Sequence, residues 1–180
     1  MEELELTYLA KELPKEALVS ASVEMLDIYI PASASHPVLR IRKSGDKFEI
    51  TKKEPLQEGD ASRLLETTIP LTAGEYAELA QLPGKRVEKT RFYYREEGTT
   101  YQIDVFRGEL SGLILVDVEF DSLEKKASFT PPPWVLKDVT QEEFIAGGML
   151  CGKKYSDIES QLEKFGYTKI EVPPENSSWK

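Results

Sequence analysis

The sequence has a single cysteine, Cys151, and a single histidine, His36. One cysteine cannot build a disulfide framework, and these two residues alone cannot assemble a zinc site of the His/Cys type. Cys151, beside a glycine, reads as a small buried residue, and His36, beside Pro37, as part of a loop. A chain without disulfides suits a reducing compartment. Positive charge is scarce as well. The 23 Lys and Arg residues face 32 Asp and Glu, for a formal net charge of -9. That balance argues against a general binder of nucleic-acid polymers or anionic membranes, while leaving room for a local basic pocket. No apolar run approaches the length of a membrane span. The first residues are acidic and amphipathic, unlike a signal peptide. The expectation is a soluble, cytoplasmic protein. Its 180 residues suffice for one domain built on one sizeable sheet.

What the chain does have is alternation. "ELELTYLAK", "VEMLDIYIP", "VLRIRK", "FEITKK", "LLETTIPL", "KRVEKTRFYY", "TYQIDVF" and "LILVDVEF" read as strands. They are separated by turn signals such as "SGDK" and "REEGT". "TAGEYAELAQL" changes period. Thr72 and Glu75 have capping-box spacing, Tyr76, Leu79 and Ala80 form a helical stripe, and Pro83-Gly84 end it. Two further capping boxes are read at Thr140/Glu143 and Ser156/Glu159. The second opens a helix with Ile158, Leu162 and Phe165 inward and Gly166 as its stop. "VPPENSSWK" reads as a loose tail. Strands, a helix, more strands and then helices predict an α+β fold with a largely antiparallel sheet.

The polar faces of these strands are sorted by charge. Glu3 and Glu5 share a face, as do Arg40 and Arg42, Lys89 and Arg91, and Asp117 and Glu119. The opposite faces carry Leu4/Leu6, Leu39/Ile41, Thr90/Phe92 and Val116/Val118. Any one pair would fit a solvated outer face with cross-strand ion pairs. Sorted rows in strand after strand fit better inside a sheet curled on itself, with carboxylates on some walls and cations on others. Guanidinium and ammonium groups bind phosphate oxygens. Carboxylates hold a hard cation such as Mg²⁺ or Mn²⁺, which bridges to those same oxygens. A metal–polyphosphate ligand meets both requirements.

These rows also carry a resemblance. "ELELTYL" sits where the CYTH family, the triphosphate tunnel metalloenzymes, has its N-terminal E-x-E-x-K strand. "LRIR", "VEKTR", "IDVF", "GLILVDVEF" and "PPPWVLKDVT" follow in the family's order, so the matches cover most of residues 1–152. The resemblance implies a closed antiparallel β tunnel of about eight strands with helices packed outside. Residues 1–152 would form the tunnel domain, and 153–180 a C-terminal helix and tail on or beyond it. It implies metal ligation by Glu3, Glu5, Asp117 and Glu119, with Mg²⁺ or Mn²⁺ as the ion. Phosphate would be bound by Arg40, Arg42, Lys53, Lys89 and Arg91. Strand parity chooses Lys53 over Lys52, because Lys53 shares the face of Thr51 and Glu49. Glu66 and Asp104 match further tunnel positions. Lys89 and Tyr29 match a pair that some members are thought to use to orient or deprotonate water, although Tyr29, between Ile28 and Ile30, equally suits a core aromatic.

Three positions depart from the family pattern. Thr7 replaces its lysine, Thr68 stands where a second glutamate is usual, and Gln102 where an acid is. The leading expectation is a divalent-metal-dependent triphosphatase acting on inorganic tripolyphosphate or on a nucleoside or other organic triphosphate. An adenylate cyclase of the class IV type and a thiamine triphosphatase are alternatives within the family. A non-catalytic polyphosphate- or nucleotide-binding protein is the alternative outside catalysis.

Overall fold

In a computed structural model, residues 2–172 are described. The tail read in the sequence lies, from residue 173 onward, outside them. The strands are β1 (Glu2–Ala10), β2 (Ala21–Ile30), β3 (Leu39–Ser44), β4 (Lys47–Pro55), β5 (Arg63–Leu71), β6 (Lys85–Glu96), β7 (Thr99–Phe106), β8 (Ile114–Phe120) and β9 (Val135–Asp138). The helices are α1 (Ala73–Leu79), α2 (Leu123–Ser128), α3 (Gly147–Leu150) and α4 (Tyr155–Glu163).

Every strand pair is antiparallel. The order β5-β4-β3-β2-β6-β7-β8-β1 closes when β1 also pairs with β5, which gives an eight-stranded barrel. The closing seam is short, with Glu2, Glu3 and Leu4 opposite Leu65, Leu64 and Arg63. The C-terminal half of the same edge of β1 is taken by β9, where Tyr8 faces Asp138 and Leu9 faces Lys137. β9 escapes sequence reading because four residues after "PPPW" give too short a pattern to distinguish from loop.

Alternation divides the side chains between two environments. The outward residues Tyr8, Ile103, Ile114, Val116 and Val118 are almost wholly buried in a core that includes Trp134. Aromatic rings from the segment after α2 cover that wall: Phe129 lies 5.2 Å from Phe120, and Trp134 stands edge-on to Tyr101 at 5.0 Å. Elsewhere on the outer wall, Tyr76 of α1 packs on Phe48 at 4.7 Å. A second core fills one end of the barrel. The inward residues Leu9, Tyr29, Val87, Phe106 and Leu115 meet Phe144, Ile145, Leu150, Ile158 and Leu162 there, so α3, α4 and the turn before them form an apolar floor.

The Thr72/Glu75 capping box is present, with the Glu75 N–H donating to Thr72 Oγ1 and the Thr72 N–H donating to Glu75. Two other boxes need correction. The Thr140 hydroxyl does not open a helix. It donates to Asp138 at 2.6 Å and accepts the Thr7 N–H at 3.0 Å, which pins the strap after β9 to β1. A short 3₁₀ turn at Glu143–Ile145 follows instead. The last helix starts at Tyr155, before Ser156, and the Lys154 N–H donates to Asp157 at 2.8 Å. Its inward residues are as expected, with Ile158 and Leu162 fully buried. Gly166 follows at φ +73°, a conformation that ends helices at little cost only for glycine.

Candidate active site

The barrel encloses a cavity of about 830 Å³ whose wall includes Glu3, Glu5, Tyr29, Arg40, Arg42, Lys53, Glu66, Lys89, Arg91, Asp104, Asp117 and Glu119. All the residues that the sequence singled out for a site therefore face one space. Lys52 points the other way and pairs with Glu54 outside the barrel.

The cations reach this space already held by partners. Asp27 and Arg42 stand opposite one another on β2 and β3, and Arg42 donates from Nε and Nη2 to the two Asp27 oxygens at 2.6 and 2.7 Å. Burial alone would raise the Asp27 pKa, but the Arg42 charge and both hydrogen bonds outweigh it and hold the carboxylate well below its usual range. On β6, Arg91 donates to Asp104 at 2.6 and 2.7 Å and to Asp117 at 3.0 Å. Lys89 also bonds Asp104. Burial pushes the Lys89 ammonium below its ordinary value, and Asp104 only partly offsets that. Lys53 lies 2.5 Å from Glu3 and 3.2 Å from Glu66. Desolvation opposes its charge, yet Glu5 and Glu3 together raise its pKa. Arg40 differs from the rest. Its Nε is buried without a hydrogen-bond partner, and the group has no carboxylate within ion-pair distance among the described residues.

Among the carboxylates, oxygens of Glu3, Glu5 and Glu119 lie within 4.8 Å of one another. Glu5 and Glu119 are direct cross-strand partners on β1 and β8. Burial first, and then the charges of Asp117 and Glu3, push the Glu5 carboxyl up to about 8. A three-carboxylate set of hard oxygens, one of them destabilised as an anion by burial and then by its acidic neighbours, is donor chemistry that suits a hard divalent cation. Asp117 lies outside this trio. Its Oδ1 accepts the Thr7 hydroxyl at 2.9 Å, and its Oδ2 accepts Arg91.

Tyr29 is both a core aromatic and a cavity residue. A β-carbon built on Gly147 would lie 2.0 Å from its hydroxyl oxygen, so only glycine allows α3 to pass there. Tyr29 and Lys89 are not cross-strand partners, because Lys89 stands opposite Met25 and Tyr29 opposite Lys85.

Asp27 belongs to the site and is absent from the residues read in the sequence. The available signal was a lone carboxylate inside the apolar strand "VEMLDIYIP", on the same face as Tyr29. The three departures also acquire partners. Thr7 bonds Asp117, Thr68 bonds Glu66 at 2.8 Å and Thr51 at 3.0 Å, and Gln102 bonds both Arg91 and Glu119.

No family profile matches the chain. Relatives do. An inorganic triphosphatase of Nitrosomonas europaea is 35% identical over 145 residues, covering 79% of this chain and 92% of that protein. An inorganic triphosphatase of Acetivibrio thermocellus is 26% identical over 67% of this chain and 76% of its own length. The crystal structure of an inorganic triphosphatase superposes with a TM-score of 0.60 at 28% identity, over 84% of this chain and 95% of that one. A barrel from Bacillus halodurans, crystallised as a candidate adenylate cyclase, shares the fold with a TM-score of 0.53 at 17% identity, over 97% of this chain and 94% of its own. The order of motifs, the closed eight-stranded barrel and the 35% identity across nearly the whole of a curated relative place this chain in the CYTH family of triphosphate tunnel metalloenzymes.

Proposed function

We propose that this chain is a divalent-metal-dependent triphosphatase, with inorganic tripolyphosphate as the simplest substrate. The observation that carries the reading is the convergence of five basic side chains and a three-carboxylate cluster on the wall of one cavity. The relatives named above as inorganic triphosphatases support it.

The charge balance of the cavity bears on how such a substrate would be held. Acidic residues on its wall outnumber basic ones, so a divalent cation would offset part of the negative charge around a bound polyanion. Glu3, Glu5 and Glu119 would hold Mg²⁺ or Mn²⁺. A bound divalent ion supplies charge neutralisation and Lewis acidity at phosphoryl oxygens. The rest is positioning. Phosphoryl transfer needs little covalent chemistry from the protein and depends on alignment and electrostatic stabilisation. Arg40 offers a buried, unpartnered N–H to a phosphate oxygen. Arg42, gripped by Asp27 through Nε and Nη2, retains Nη1 for the same purpose. Lys53, Lys89 and Arg91 would complete the cradle. Lys89 Nζ and Tyr29 Oη are the candidate groups for orienting the attacking water, and the apolar floor under Tyr29 would limit access of other water.

The test is phosphate release from tripolyphosphate, ATP and thiamine triphosphate with Mg²⁺ or Mn²⁺, run beside a cyclic AMP assay and calorimetric binding. Release from tripolyphosphate that vanishes with a chelator, and that Glu5→Gln and Glu119→Gln each abolish without loss of folding, is the expected outcome. Tight triphosphate binding with no turnover under either metal would instead identify a binding protein. Cyclic AMP formation from ATP would identify a cyclase.

A further inference from the structure

Gln102 lines a pocket of about 540 Å³ that neighbours the 830 Å³ cavity and shares Glu119 with it. On β7 it lies directly opposite Tyr93 of β6 and Asp117 of β8, so its side chain reaches its partners diagonally. Its Oε1 accepts from Arg91 Nη1, and its Nε2 donates to Glu119 Oε1 at 2.6 Å. Arg91 is one of the proposed phosphate cations, and Glu119 belongs to the three-carboxylate cluster. We infer that Gln102 is a positioning residue that ties the phosphate-facing guanidinium to the metal-facing carboxylate. This rests on the function proposed above.

The amide is chemically suited to the place. An amide accepts at one end and donates at the other, so it can satisfy a cation and an anion at once. A carboxylate at 102 would serve Arg91 but stand against Glu119 as a like charge. Glu119 is the exposed member of its trio, and Gln102 is its one hydrogen-bond partner among the described residues. Without that bond the Glu119 side chain has several rotamers open to it and must be ordered by the cation itself. With it, the carboxylate is already in place when the cation arrives. Partners of this kind, one bond removed from a metal, typically matter at about the tenfold level or more for affinity.

The test is Gln102→Met, which keeps length and removes both hydrogen bonds. Three quantities are measured: Mn²⁺ affinity by calorimetry without substrate, tripolyphosphate kcat and KM at saturating metal, and melting temperature. A purely structural residue would move only the last. The expected result is an unchanged melting temperature, Mn²⁺ affinity weakened about tenfold, and kcat reduced more than KM is raised. In a Glu119→Gln background, Gln102→Met should weaken Mn²⁺ no further, because the coupling partner is gone. Mn²⁺ affinity and kinetics within about twofold of the parent would overturn the inference, as would an undiminished effect in the Glu119→Gln background. If the parent binds Mn²⁺ but releases no phosphate, the triphosphatase reading fails while the Mn²⁺ comparison still decides the role of Gln102. If the parent binds no divalent ion, both fall together.

Discussion

The Tyr29 hydroxyl occupies the space that a side chain on Gly147 would need: a β-carbon at Gly147 would lie 2.0 Å from Tyr29 Oη and 2.9 Å from Cζ. Gly147→Ala must therefore displace either the tyrosine or α3. Overpacking of this kind costs about 1–3 kcal/mol, read as a lower melting temperature. Adding Tyr29→Phe removes the nearest atom and should restore part of the loss. If the double variant melts no higher than Gly147→Ala alone, the hydroxyl is not what excludes the alanine.

Acid should weaken the fold through the buried ion pairs. The Asp27 carboxyl sits below its ordinary value of 3.8 in the folded protein, with burial opposing the shift and Arg42 more than compensating. A depressed folded pKa contributes stability that is fully present above the unfolded value and is lost as pH falls from there towards the folded one. Asp104, paired with Arg91 and Lys89, has the same sign. Thermal melting followed from pH 7 downward should thus be nearly flat for these groups until about pH 5 and fall steeply below about pH 4. Asp27→Asn leaves Arg42 buried without its counter-charge, at a cost of about 3–5 kcal/mol. Asp27→Asn with Arg42→Met removes both charges. It should regain most of that stability and lose part of the acid slope, and an unchanged slope would remove Asp27 from the account.

Arg40 and Lys52 test which side of the wall matters. Both are basic and close in sequence, yet Arg40 faces the cavity and Lys52 faces solvent beside Glu54. Arg40→Ala should raise the KM for tripolyphosphate by one to two orders of magnitude, as expected for a lost charge-assisted contact of about 1.5–3 kcal/mol. Lys52→Ala should leave it unchanged. Equal effects in the two variants would mean that general surface charge, not the cavity, attracts the substrate.

Thr7→Lys asks whether the missing family cation can be returned. The Thr7 hydroxyl lies 2.9 Å from Asp117, so a lysine there finds a carboxylate at hand, although Arg91 already uses the other oxygen of that group. The variant should fold, and it should bind tripolyphosphate more tightly, by about 1–3 kcal/mol. Turnover need not rise, since tightening substrate and transition state alike lowers KM without raising kcat. Weaker binding with a lower melting temperature would show that Arg91 and the new lysine compete for Asp117 to the detriment of both.

Strand identity and facing were legible because period-two alternation survives even where both faces are buried, one by apolar contacts and the other by ion pairs. The choice of Lys53 as inward and Lys52 as outward needed nothing beyond parity. Partnerships were less legible. Asp27 was hidden because a single acid in an apolar strand gives no hint of its cross-strand neighbour, and only the β2–β3 register sets it against Arg42. Asp117 and Glu119 read alike in sequence, two residues apart on one face, yet tertiary contacts give one to Thr7 and Arg91 and the other to the carboxylate trio. The capping boxes at Thr140 and Ser156 fail for different reasons. At Ser156, a Lys154/Asp157 box opens the helix earlier in the chain. The Thr140 hydroxyl donates to Asp138 and accepts the Thr7 N–H of β1, more than a hundred residues away in sequence, and capping-box spacing reveals neither partner.

The seam between β1 and β5 has a consequence for assembly. β1 has no lasting partner until residues 63–65, 114–120 and 135–138 are available, so its pairings are among the most distant in the chain. Glu3 and Glu5 ride on that strand, and Glu119 lies on the strand that receives it. The carboxylate trio is thus not a local motif that could capture an ion early and nucleate the rest. It needs the docking of β1 against β8, a pairing of residues more than a hundred positions apart, which is the kind of long-range contact that forms slowly.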